Sequence, residues 1–183
     1  MNKPSVVFVR VGLILAVLAV TACASTSGMP SSIERARRKA PKDVLVGIGS
    51  AKIGTVTLYR TIAATRARAE LSKAINSIVM SMVTNYTASS EVDPEAVLVF
   101  RERITVTLSQ ANLSGAVIVE EAEDKNGNWW CVIYLSRENV AGEISRAQAT
   151  AKQAVPAMAS FDAEAGLNLA FERQVSEMAA RRD

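Results

Sequence analysis

The sequence predicts an α+β domain, and three observations predict it. Residues 58–87 contain no glycine or proline and repeat apolar side chains at three- and four-residue intervals, the pattern of a long helix. Val117–Leu135 reads as two strands around a turn that contains Asn126-Gly127. Val44-Leu-Val-Gly-Ile-Gly49 is a continuous apolar run between polar residues, as expected of a buried strand.

The elements follow in order. The chain starts Met-Asn-Lys3, and its apolar run is broken by Arg10 and resumed as Val11–Val20. A basic start, a short apolar core and small residues behind it are the parts of a secretory signal peptide. The core is too short to cross a bilayer comfortably, which takes about 20 apolar residues. It ends Val20-Thr21-Ala22-Cys23, which resembles the lipobox of bacterial lipoproteins. In that pattern the cysteine is acylated on its sulfur and becomes the first residue of the mature chain. Val20 and Thr21 stand where leucine and alanine or serine are commoner. The competing reading is an ordinary signal peptide cut near Ala-x-Ala, with Cys23 an incidental thiol. Ala24-Ser25 behind the cysteine, by resemblance to lipoprotein sorting in double-membraned bacteria, implies the outer membrane.

Residues 24–31 read as a tether. Ser31 and Glu34 have capping-box spacing, so a short helix is expected from Ser32 to Ala40, stopping at Pro41. It carries Arg35, Arg37, Arg38 and Lys39, with Lys42 behind it, a basic cluster that either lies on anionic headgroups or faces water. After the long helix, Asp93-Pro94 is a helix start. The following segment is ambiguous, because Phe100, Ile104, Leu108 and Ala111 share a helical face while Ile104-Thr-Val-Thr107 alternates like a strand; helix is the reading taken. Ser136 starts a further helix ended by Pro156, and Phe161–Arg182 forms an amphipathic helix. The expected organisation is a signal peptide over 1–22, a lipid-anchored tether with the basic helix over 23–42, an α+β domain over 43–155, and a C-terminal helix over 156–183.

Composition excludes much chemistry. None of the 183 residues is histidine, which removes serine–histidine and cysteine–histidine pairs and imidazole metal ligands. Two cysteines cannot build a zinc site of the Cys/His kind. Charge is uneven along the chain: residues 23–90 hold ten basic and three acidic side chains, residues 91–183 nine basic and fifteen acidic.

Three stretches taken together carry a resemblance. They are Val46-Gly-Ile-Gly-Ser-Ala51, the alanine- and arginine-rich segment Ala63–Leu71, and the run from Ser109-Gln-Ala-Asn-Leu-Ser-Gly115 through Val117-Ile-Val to Trp130-Cys-Val-Ile-Tyr-Leu135. In order and spacing they resemble the LPP-twenty family of bacterial outer-membrane lipoproteins, which includes flagellum-associated lipoproteins, over roughly residues 43–155. The resemblance implies a small antiparallel sheet of about three strands packed on a long helix, here with extra C-terminal helices. It implies an envelope component with no known catalysis, some members assembling as rings and others facing partners outside the cell.

Four local features have bland explanations. Gly47-x-Gly49 lacks the third glycine of a dinucleotide loop, so close approach of a helix to the strand explains it better. Lys52 lacks the glycine spacing of a phosphate loop. Glu120, Glu121, Glu123 and Asp124 read as a solvated acidic edge rather than a calcium site. Cys131, without a partner in the chain, reads as a buried inert thiol. No catalytic residue, cofactor or metal is expected, and Cys23 is the one site residue. The partners expected are a lipid bilayer through acylated Cys23, further copies of the chain, and envelope or flagellar proteins; nucleic acid is not expected. A head-to-tail contact between the oppositely charged halves is the assembly mechanism that the charge split predicts. The alternatives are a surface-exposed adhesin and a module that binds a ligand or peptidoglycan.

Overall fold

The computed structural model describes residues 28–52 and 55–180. The signal segment and Cys23 lie outside the described residues. The elements are α1 (Ser31–Arg38), β1 (Val44–Ala51), α2 (Val56–Ala88), α3 (Pro94–Gln110), β2 (Val117–Glu123), β3 (Trp129–Ser136), α4 (Arg137–Ala154), a 3-10 turn (Pro156–Met158) and α5 (Ala163–Ala180). The strands form one antiparallel sheet in the order β1-β3-β2, so the fold is α+β.

Each face of the sheet is covered. Leu45, Ala51, Cys131, Ile133 and Leu135 join the main core with the inner face of α2. Val46 and Val132 face the other way, where Ile33 of α1 closes a smaller core with Ile48, Trp130 and Tyr134 around it. The Tyr134 hydroxyl donates to the Ala36 carbonyl at 2.5 Å and fastens α1 across the sheet. Helix α2 has 33 residues and spans about 50 Å, roughly twice the length of the strands it covers. Its second half therefore leaves the sheet and packs on α3, α4 and α5. Phe100, Phe161 and Phe171 fill that half of the core, with Phe161 edge-on to Tyr86 and to Phe100 at 5.5 and 5.4 Å.

The ambiguous segment is helical. Val97, Phe100, Ile104 and Leu108 are buried on one stripe, and burial at that spacing overrides the β-branched alternation. Its threonines are satisfied as a helix allows: Thr105 donates to Asn76 at 3.0 Å and Thr107 to the Arg103 carbonyl at 2.8 Å. The Asp93 carboxylate accepts from the Glu95 amide at 3.3 Å and caps the start.

Three expectations need correction. The capping box does not form: Pro30 is the N-cap, its carbonyl accepts from the Glu34 amide at 3.1 Å, and Ser31 lies inside the first turn. The helix also ends at Arg38 rather than Ala40, since a residue before proline avoids the helical region. Asn126-Gly127 is the pair that supplies two positive φ angles to a tight hairpin turn, yet here only Gly127 has one. The turn is held instead by Asp124, whose carboxylate accepts from the amides of Asn126 and Asn128 at 2.8 and 2.9 Å. The last helix is described from Ala163, with Phe161 buried in the turn ahead of it.

Candidate functional site

The strands and α2 bring the chemically distinctive residues to one end of the body. Helix α2 runs antiparallel to β1, so its first turns stand beside Ala51 and Trp129, paired residues at the sheet end. Arg60 lies over the Trp129 ring, 5.0 Å from its centroid, and donates to Glu121 of β2 at 2.6 Å. The Trp129 indole donates to the same carboxylate at 3.1 Å. These donors hold the Glu121 carboxyl below its usual range, the Arg60 hydrogen bond foremost. Three residues on, in the hairpin turn, Asp124 accepts from Asn128 and the Trp130 indole, and its carboxyl is held far below its usual range, chiefly by Asn128. Lys52 donates to the Asn126 carbonyl and ties β1 to the hairpin turn.

The acidic residues of the hairpin are therefore not simply a solvated edge. Glu121 and Asp124 are structural acceptors, while Glu123 stays exposed. Among the described residues, no three carboxylate or thiol groups converge in a way that would hold a metal ion.

Gly47 and Gly49 seat α2 on β1. A Cβ on Gly47 would overlap the Ala67 carbonyl oxygen, and one on Gly49 the Ala63 carbonyl oxygen. Beta strand β1 pairs antiparallel with β3, so no parallel nucleotide-binding unit surrounds these glycines. Cys131 is fully buried beneath the same helix, and burial pushes its thiol up to about 11.

The basic cluster is placed by α1. Ile33 and Ala36 turn to the sheet, so the apolar face of α1 is already covered, while Arg35, Arg38 and Lys39 are exposed. Arg38 sits 3.7 Å from Glu34. Arg38 and Lys42, with Arg137 of α4, border a half-open cleft of about 650 Å³ whose apolar walls include Pro41, Phe171 and Val175. Asp43 and Glu172 line it as well.

Sequence reasoning missed Glu143, which is 5% exposed on the buried side of α4. It accepts from the Ser114 amide at 2.9 Å and pairs with Arg146 at 2.6 Å. It thereby pins the 111–116 loop, where Leu113 and Gly115 both have positive φ. Its place on the stripe of Val140, Ile144 and Ala147 was the available signal.

No family model and no curated protein matches this chain. The charge split also looks different in space. Strand β1 from the basic half pairs with β3 from the acidic half, and Arg60 of one half meets Glu121 of the other, so the two halves form one body. Strand β2 is a sheet edge whose first three residues, Val117, Ile118 and Val119, are all exposed, Val117 by 57%. Among the described residues no helix is long and apolar enough to cross a membrane.

Proposed function

We propose that this chain is an acylated outer-membrane lipoprotein whose domain, facing the periplasm, is a non-catalytic scaffold or assembly module of the cell envelope. The resemblance to the LPP-twenty family extends the proposal to flagellar association. The observation that carries it is Cys23, placed at the end of a signal-like apolar core and followed by a Ser/Thr/Gly tether. Two or more acyl chains anchor a protein stably, at about 0.8 kcal/mol per buried methylene.

Assembly is supported by β2. An edge strand that exposes Val117–Val119 is a template for another chain, whereas Glu120, Glu121 and Glu123 make its second half a poor one. The pairing surface is thus limited to one short apolar segment. It does not depend on contact between charged halves, which are interleaved within one body.

Mass spectrometry of the native amino-terminal peptide tests the anchor. Diacylated or triacylated Cys23 supports it, as does release of Cys23→Ser protein into the soluble fraction; an unmodified sulfur refutes it. Sedimentation of the Cys23→Ser protein tests assembly. Concentration-dependent association that Val117→Lys with Val119→Lys abolishes is the expected result, and a monomer at high concentration refutes it.

The cleft edged by Arg38, Lys42 and Arg137 favours a second reading, a module that binds an anionic ligand such as a peptidoglycan fragment. Muropeptides should then raise Tm in the parent protein and not in Arg137→Ala.

A further inference from the structure

The first described residue, Gly28, stands against the hairpin turn, close to the side chains of Asp124 and Asn126. Four residues separate it from Cys23, and the five Cα-to-Cα steps can reach no more than about 18 Å. An anchor at Cys23 would therefore hold the hairpin end of the body near the bilayer, with the far end of α2 about 50 Å away along the helix axis.

The surface at that near end joins exposed aliphatic side chains to the tryptophans of β3. Val56 and Leu58, on the first turn of α2, are 58% and 45% exposed. Tyr59 and Trp129 are half-buried at this end on the α2 face and Trp130 on the opposite face of the sheet, and the two tryptophans are the only ones in the chain. Tryptophan and tyrosine favour the boundary between headgroups and water. Charges there balance: Lys52, Arg60 and Lys125 stand with Glu121, Glu123 and Asp124, so the surface is not repelled by a zwitterionic bilayer.

We propose that the hairpin end is a lipid-contacting surface, on which Val56 and Leu58 enter the headgroup layer on the Trp129 side of the sheet end, with Trp130 on its other face, and hold the body upright on its anchor. The proposal rests on the acylation of Cys23 proposed above. Acylation sets the distance, and these side chains set the orientation. A body standing on this end presents α3, α4 and α5 away from the membrane.

The test uses the acylated full chain in phosphatidylcholine vesicles, with acylation verified by mass and attachment by flotation. Leu58→Cys and Glu91→Cys each carry an environment-sensitive fluorophore on the new thiol, Cys131 being buried and Cys23 acylated. The label at 58 should shift to the blue and brighten several-fold on the vesicles, while the label at 91 stays unchanged. Headgroup-spin-labelled lipid should quench the native tryptophans in the unsubstituted protein, so the result does not depend on a variant folding. If the floated protein shows neither the shift at 58 nor quenching, the anchor stands and the contact surface is refuted. A shift at 91, alone or with 58, refutes the upright orientation. Absence of acyl chains overturns the anchor and this proposal together.

Discussion

Arg60 and Glu121 meet at 2.6 Å, joining the first turns of the long helix to the edge strand through a charged hydrogen bond. Glu121 is thereby held below its usual value near 4.5. A carboxylate with a depressed folded value contributes stability above its unfolded value, and the contribution is lost as pH falls through the folded one. Glu121→Gln should therefore flatten the decline in stability below about pH 4.5. Urea unfolding at pH 7 and pH 4 checks this, and parallel slopes for the variant and the parent would exclude it.

Asp124 makes the same argument at the turn, where its acceptors close the hairpin over Asn128. Asp124→Asn should lower Tm at neutral pH and leave less acid sensitivity. Loss of the hairpin amide protection in hydrogen exchange should accompany it.

Helix α2 approaches β1 closely only because Gly47 and Gly49 have no Cβ. Gly47→Ala should cost about 2–3 kcal/mol, the scale of overpacking against backbone that cannot yield. Chemical denaturation measures it, and a neutral result would mean the helix sits farther from the strand.

Glu143 is buried with one amide and one guanidinium as partners. Glu143→Ala leaves the Ser114 amide unpaired and should cost about 2 kcal/mol. The 111–116 loop should exchange its amides faster in that variant, while β1 stays protected.

Phe161 sits edge-on between Tyr86 and Phe100 at the far end of α2. Phe161→Ala should cost about 3–4 kcal/mol through the cavity it leaves. Thermal unfolding monitored by circular dichroism is the measurement.

Cys131 should resist Ellman's reagent in the folded protein at pH 8 and react at once in denaturant, because its thiol is fully buried and pushed up to about 11. Rapid labelling of the native state would contradict its position under α2.

Much of this fold was legible because the signals were local and repeated. The long helix has an uninterrupted apolar period, and the hairpin has two β-rich runs about a glycine turn. Residues 94–110 were harder, since Ile104-Thr-Val-Thr107 carries both periods and only burial of Phe100, Ile104 and Leu108 against α2 decides. The partners of Glu121 and Asp124 were not legible. Arg60 is far from Glu121 in sequence, and an acidic run looks solvated until the fold delivers a guanidinium and an indole to it. Glu143 was hidden for the same reason, because its amide partner lies on another segment. The spacing of the glycines already signals a close helix, although the carbonyls they meet lie fourteen and twenty residues away.

The central strand of the sheet arrives last. Strand β1 waits for β3, with Val44 opposite Ser136. Until Ser136 has emerged, the β1–β3 ladder cannot be completed, and this long-range pairing is of the slow-forming kind. A chain delivered amino terminus first would thus complete its sheet only after about three quarters of its length had passed.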